Sequence, residues 1–222
     1  MVWTPGTVTI SQDTTIQARV RTSGGQWSAL AQPRFLLAPR VAPTAHDLLI
    51  TEIHYNPVGG DEHEFVELAN VSTNLLDLSG VSLANAVRFV FPSGFALPPG
   101  NFVVVVEDAV AFANRYQDPT SPWYWPGINV AGEWVGKLDN RGETLSLVAS
   151  NGMVLSSVPY QPSGDWPERA NGRGSSAELR TLPAATNTDQ QVREFIADGR
   201  NWTSSSLYHG SPGRLDSFVK SV

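Results

Sequence analysis

An antiparallel β-sandwich is the fold class this sequence predicts, and three observations carry it. Glycine and proline number 19 and 16 of the 222 residues, punctuation that suits many short strands and turns rather than long helices. Apolar and polar residues alternate in stretch after stretch, the period of half-buried strands. Residues 142–160, "GETLSLVASNGMVLSSVPY", alternate on both sides of Asn151-Gly152, a pair that favours the tight turn of a hairpin.

Taken in order, residues 6–37 read as three or four short strands. Val8 and Ile10 share one face, Ile16, Ala18 and Val20 another, and Gly24-Gly25 form a turn. So few strands make no stable domain on their own, so residues 1–38 form a partial β domain that needs a surface to pack against. "APRVAPTAHD" breaks every period, and residues 39–47 read as a linker. "LLITEIHY" (48–55) and "EFVELAN" (64–70) are the next strands. Strict alternation places Leu48, Ile50, Glu52 and His54 on one face and Leu49, Thr51, Ile53 and Tyr55 on the other. Two further strands follow around 80–84 and 87–91, then a "LPPG" turn and "NFVVVVED", a central strand apolar on both faces.

One helix is convincing. Ala109, Phe112, Ala113 and Tyr116 recur at helical spacing, Asp108 caps the start and Pro119 stops the run. "SPWYWPG" (121–127) is an aromatic loop. After the 142–160 hairpin the pattern weakens. "SSAELRTL" offers one more strand, and "TDQQVREFIADG" a short helix with Val192, Phe195 and Ile196 inward. Residues 161–222 are nevertheless too apolar for a disordered tail and should wrap the 48–160 sandwich as an extended C-terminal segment.

Composition narrows the function. The formal net charge is −6, which disfavours phosphate backbones and hence nucleic acid as a partner. With no cysteine there is no disulfide, thiolate nucleophile or Cys-based zinc site. The longest apolar run, "FVVVV", is too short for a transmembrane segment. The opening "MVWTPGTVTIS" is not a signal peptide.

Several patterns, in order, resemble the lamin tail domain: "LLITEIHYNP…EFVELANVS…LDLSGVSL", "RFVFPSGFALPPGNFVVVVED" and "KLDNRGETLSLVASNGMVLSSVPY". The resemblance implies an immunoglobulin-like sandwich over 48–160 and a largely non-catalytic role. "DWPERANGRGSSAEL" and "NWTSSSLYHGSPG" resemble an extension that follows this domain in large bacterial surface or exported proteins. The N-terminal piece resembles the last strands of a chitobiase C-terminal-type β domain. Together these imply a secreted or cell-surface location, other domains of the same parent chain as neighbours, and a protein or glycan ligand.

Chemistry-bearing residues concentrate in "TEIHYNPVGGDEHEFVE" (51–67). Metal shells need ligands converging on one point from rigid elements, whereas alternation splits these between a Gly-Gly loop and two strand faces. Glu52 and Glu67 are therefore expected to be structural carboxylates at the sheet surface or a sandwich end, held by arginine or backbone N–H groups. No nucleophile elbow, phosphate loop or H-E-x-x-H is present, and serines beside His209 do not make a triad. The sequence predicts no catalytic residue, no metal and no cofactor. Trp123, Tyr124 and Trp125, with Trp166, Arg169 and Arg173, form the expected binding surface, because exposed aromatics beside arginine make hot spots and sugar-stacking platforms. For Trp166 and Trp202 the preferred reading is instead that they fold back into gaps of the sandwich, since tryptophan is highly buried on average. The preferred function is a non-catalytic adhesion, targeting or scaffolding module. The alternatives are a carbohydrate-binding module using the exposed aromatics and a metal-dependent hydrolase using the 52–67 carboxylates.

Overall fold

A computed structural model describes residues 14–32 and 39–216, with the backbone of 34–35; the strand positions expected at Val8 and Ile10 lie outside them. The chain divides into two compact units, Met1–Pro39 and Arg40–Val222. In the first, β1 (Thr14–Thr15) pairs antiparallel with β2 (Arg34–Phe35), and bridges Ala18–Ala31 and Arg21–Trp27 continue the ladder towards the turn. Gly25 takes a positive φ of 84° there, as the glycine pair predicts. Val20, Trp27 and Leu30 remain exposed, and the Arg19 guanidinium sits 4.2 Å above the Trp27 ring centroid.

The second unit runs β3 (Arg40–Val41), β4 (Leu48–His54), β5 (Phe65–Asn70), β6 (Leu75–Asp77), β7 (Ser82–Asn85), β8 (Val87–Val90), β9 (Ala96–Leu97), β10 (Phe102–Val106) and α1 (Ala109–Phe112). It continues with β11 (Val130–Glu133), β12 (Val135–Gly136), β13 (Glu143–Val148), β14 (Val154–Tyr160), β15 (Ala177–Leu179), α2 (Asp189–Ala197) and β16 (Trp202–Ser204). Six strands form one sheet in the order β11-β10-β5-β4-β15-β16, and five form another in the order β12-β8-β7-β13-β14. A small sheet, β3-β6-β9, completes the unit. The architecture is an all-β sandwich, as the alternation predicts. Strand pairing is antiparallel except at β10–β11 and β3–β6.

The core lies between the two large sheets. Ile53, Val66, Leu68, Val103 and Val105 from one sheet meet Leu83, Leu145, Leu147, Leu155 and Val158 from the other, all buried. A second apolar cluster, Phe65, Val104, Val106, Phe112, Tyr116 and Ile128, covers part of the opposite, outer face of the six-stranded sheet. The strand β10 is apolar on both faces because it carries one cluster on each.

Four details depart from the sequence reading. The stretch 39–47 carries β3 and the buried Pro43 and Ala45, because a two-residue strand needs no sustained period. The expected helix at 109–119 starts as α, with Asp108 Oδ1 accepting from the Val110 and Ala111 N–H groups at 2.8 Å, then widens to a π turn over Ala113–Gln117. The sandwich carries two short helices where the fold class names one: the second, which "TDQQVREFIADG" offers, forms as α2 with a complete Thr188–Gln191 capping box and with Val192 and Ile196 buried. Residues 161–216 do more than wrap, since they add β15 and β16 to the sheet beside β4. Among the described residues no helix is long and apolar enough to cross a membrane.

Candidate functional site

Register brings three glutamates abreast. In β4 the pairing with β5 shifts between Ile50 and Glu52, so that Ile50 faces Leu68 and Glu52 faces Glu67. The extra residue, Thr51, is a bulge, and a bulge reverses the phase of everything after it. Ile50 and Ile53 both reach the sandwich core, while Glu52 and His54 turn outward. Strict alternation, which put Ile50 and Glu52 on one face, is corrected here: a bulge leaves no mark in the hydrophobic pattern. On the other side of β4, Glu52 faces Glu178 of β15. Glu67, Glu52 and Glu178 thus form a row across adjacent strands, where facing side chains sit ~5 Å apart.

The row is buried. Glu52, Glu67 and Glu178 are 1%, 1% and 2% exposed, which no surface carboxylate would be. The chain from Ser205 to Asp216 supplies much of the cover and the donors. Glu52 Oε1 accepts from Ser211 N at 3.0 Å and from Ser176 Oγ at 2.5 Å. Glu67 accepts from Thr51 Oγ1 at 2.7 Å and Gly213 N at 2.6 Å, and Glu178 Oε1 from Ser211 Oγ at 2.6 Å. Asp216, itself buried, accepts from Ser206 N and Oγ at 2.5 Å. The approach is close enough to require glycine: a Cβ on Gly210, whose φ is 89°, would stand 2.3 Å from Glu52 Oε1.

No ion pair among the described residues reaches this row. Hydroxyls and backbone N–H groups hold Glu52 and Glu67, and the expected arginine partner is not among them. Two charges ~5 Å apart at an effective dielectric of about 20 repel by about 3 kcal/mol. Burial, then the neighbouring carboxylates, therefore push the acids towards the neutral form: Glu67 up to about 8, Glu178 up to about 10, and Glu52 well above its ordinary value. Glu52 Oε2 and Glu178 Oε2 remain buried with no hydrogen-bond partner. Among the described residues, no three acidic or imidazole groups form a ready metal shell.

Beside the acids lies an imidazole cluster. His54 is fully buried, edge-on to Phe65 at 5.3 Å, and both its ring nitrogens lack a partner. Burial, reinforced by His209, Arg115 and His63, lowers it to about 3; burial and Arg115 lower His209 to about 4. Both are neutral near pH 7. Arg115 donates through Nη2 to the Val58 carbonyl at 2.9 Å and holds the 56–63 loop against the helix.

The aromatic loop behaves differently. Trp123, Tyr124 and Trp125 are 41%, 40% and 39% exposed. With Tyr208, Pro212 and Arg214 they line a cleft of about 330 Å³. The Arg214 guanidinium covers one face of Trp125 at 3.7 Å, and Trp123 packs edge-on against His209 at 4.5 Å. Of the other residues in the expected surface, Trp166 is buried against Trp202, their ring centroids 5.6 Å apart. Arg169 and Arg173 are exposed, and Arg173 pairs with Glu168 at 3.5 Å. Neither lines the cleft.

The Lamin Tail Domain model matches residues 41–162, more than half of the chain. The chain belongs to the lamin tail domain family. Its sandwich is accordingly immunoglobulin-like, of a family whose members are non-catalytic modules. No curated protein matches the chain. The matched span contains Glu52 and Glu67 and the aromatic loop. Glu178, Tyr208, Ser211, Gly213 and Arg214, which complete the acid row and the cleft, lie beyond it. Sequence reasoning passed over these five. Glu178 was visible as the polar residue between inward Ala177 and Leu179, but nothing in the sequence says which strand it faces.

Proposed function

We propose that this lamin tail domain is a non-catalytic binding module of a larger exported or cell-surface bacterial protein, and that the aromatic cleft is its ligand surface. One observation carries the reading: Trp123, Tyr124, Trp125 and Tyr208, each between 39% and 49% exposed, gather round one concavity. Scattered exposed aromatics are ordinary, whereas a contiguous concave group with an arginine at its edge has the composition of a binding hot spot. The location rests on the resemblance of 165–179 and 201–213 to an extension found in large bacterial surface proteins.

A glycan is the ligand class the cleft favours. Flat rings presented in a groove stack on the apolar faces of sugar rings, and Arg214 and Tyr208 offer polar atoms for hydroxyls. Hydrolysis by Glu52 and Glu67 has little support, since side chains 1% exposed meet no substrate. Glycan-array binding followed by calorimetry tests the proposal. Binding that disappears in Trp123→Ala and Trp125→Ala, with an unchanged melting temperature, is the expected result. A panel of soluble and cell-wall polysaccharides that yields no binding would remove the glycan reading. Binding undiminished in both variants would remove the cleft.

A further inference from the structure

The aromatic cleft carries a single charged side chain. Of the residues lining it, Arg214 is cationic, none is acidic, and the rest are aromatic, apolar or glycine. His209, packed against Trp123, is lowered to about 4 and adds no charge near pH 7. Arg214 is held at both its backbone and its tip. Its backbone follows Gly213, whose N–H donates to the buried Glu67 at 2.6 Å, and its guanidinium lies 3.7 Å from the Trp125 ring centroid. Stacking engages the flat face of a guanidinium and leaves its in-plane N–H donors for a ligand. Nothing behind it takes up the charge. Arg214 also borders the acid row, but Glu67 and Glu178 are pushed up to about 8 and about 10 and stay protonated near pH 7, while Asp216 is bonded to Ser206. Among the described residues no ion pair includes Arg214.

We infer that the cleft selects an acidic sugar, with Arg214 as the specificity determinant that pairs with the carboxylate of a uronic acid residue. This rests on the glycan reading of the cleft and narrows it to one class of sugar. Three arguments carry it. A guanidinium fork matches a planar carboxylate with two parallel N–H donors, and such charge-assisted pairs are stronger than bonds to neutral hydroxyls. A ligand seated on the rings of Trp123, Tyr124, Trp125 and Tyr208 also takes water away from Arg214, and a desolvated charge is costly unless the ligand pairs with it. A neutral sugar leaves that cost standing, whereas a uronate removes it. Finally, the net charge of −6 and the absence of acids from the lining set the scale of recognition. The protein as a whole does not attract polyanions, so preference for an anion has to arise from one short-range contact. At about 330 Å³ the cleft stands at the small end for ligand pockets, which suits one acidic residue of a glycan rather than an extended polyanion.

The test is calorimetric titration of the full chain with short uronate oligosaccharides, each paired with its carboxyl-reduced, neutral form, at about 0.15 M salt, where distant charges are screened. The acidic member of a pair should bind about tenfold tighter or more, the scale of a charge-assisted contact in a half-open site. Arg214→Gln should erase the difference between the two members, while Arg88→Gln, an exposed arginine on β8, should preserve it. Spectra of the unsubstituted chain guard against a variant that fails to fold: the acidic member should move the Arg214 Nε–H resonance, and its reduced form should not. Reduced forms that bind as tightly as the acidic ones, a preference that survives Arg214→Gln, or an Arg214 resonance that stays in place would each overturn the inference and leave the glycan cleft standing. Absence of binding by both members of every pair and by neutral glycans would remove the glycan reading, and the inference with it.

Discussion

The two faces of the six-stranded sheet are built from the same strands and obey different rules. Inward, Val66, Leu68, Val103 and Val105 are all apolar and all buried. Outward, the same strands present Phe65 and Val104 to a second apolar cluster, then Glu67, Glu52 and Glu178 to a cover of loop backbone. The inner face is stabilised by area removed from water, so many apolar residues would serve there. The outer face is stabilised by a few donors placed within hydrogen-bond range of specific oxygens, so few substitutions would serve. A buried face can thus be cheap in information or demanding, and hydropathy sees only the first kind.

The largest expected effect lies on the inner face. Leu68→Ala should lose about 2–5 kcal/mol of unfolding free energy, the usual cost of emptying a packed core position, read from chemical denaturation. A loss below about 1 kcal/mol would mean that the sheets do not pack as tightly as the burial implies. On the outer face, Gly210→Ala should cost about 1–3 kcal/mol through the positive φ and the clash with Glu52. If it proves neutral, the 205–216 segment does not close on the acids.

A smaller effect comes from pH. Burial pushes Glu64 up to about 8, opposed by the Leu138 N–H. Its folded form holds a proton that the unfolded chain has released, so its contribution is complete below about pH 4.5 and is lost as pH rises through about 8. The lowered histidines act oppositely. His54 and His209 favour the fold above about pH 6.5 and withdraw that support as pH falls towards about 3 and 4 respectively. Above about pH 7, where the histidines no longer contribute to the slope, melting temperatures should therefore decline towards pH 8.5, and Glu64→Gln should decline less. Equal slopes for the two proteins would show that Glu64 titrates normally. The smallest effect belongs to the cleft: Trp125→Ala should change stability by no more than about 0.5 kcal/mol, as exposed positions do.

What the sequence disclosed follows the same division. The strands at 48–54, 65–70, 102–106, 143–148 and 154–160 all coincide with apolar patterns, and the Asn151-Gly152 turn and the Asp108 cap are local signals that structure respects. Trp202 in the core follows from its size. The Thr51 bulge, the facing of Glu178 to Glu52 and the Ser211 and Gly213 donors were illegible, because each depends on where a distant segment returns. Glu52 reads as an acid in an apolar strand, which signals that something covers it, but names neither the cover nor the donors.

The hydrogen bond from Ser211 to Glu52 joins residues 159 positions apart, and that from Gly213 to Glu67 spans 146. During synthesis the strands β4 and β5 emerge long before their donors exist. Until Gly213 is made, the nascent chain carries paired acids on a half-covered sheet, which pushes this face towards open, solvated and protease-accessible forms. A chain cut where the family match ends, at residue 162, would be left in that condition permanently. Closure of the outer face therefore waits for residues 205–216, and its rate is governed by the return of a distant segment rather than by local hairpin formation.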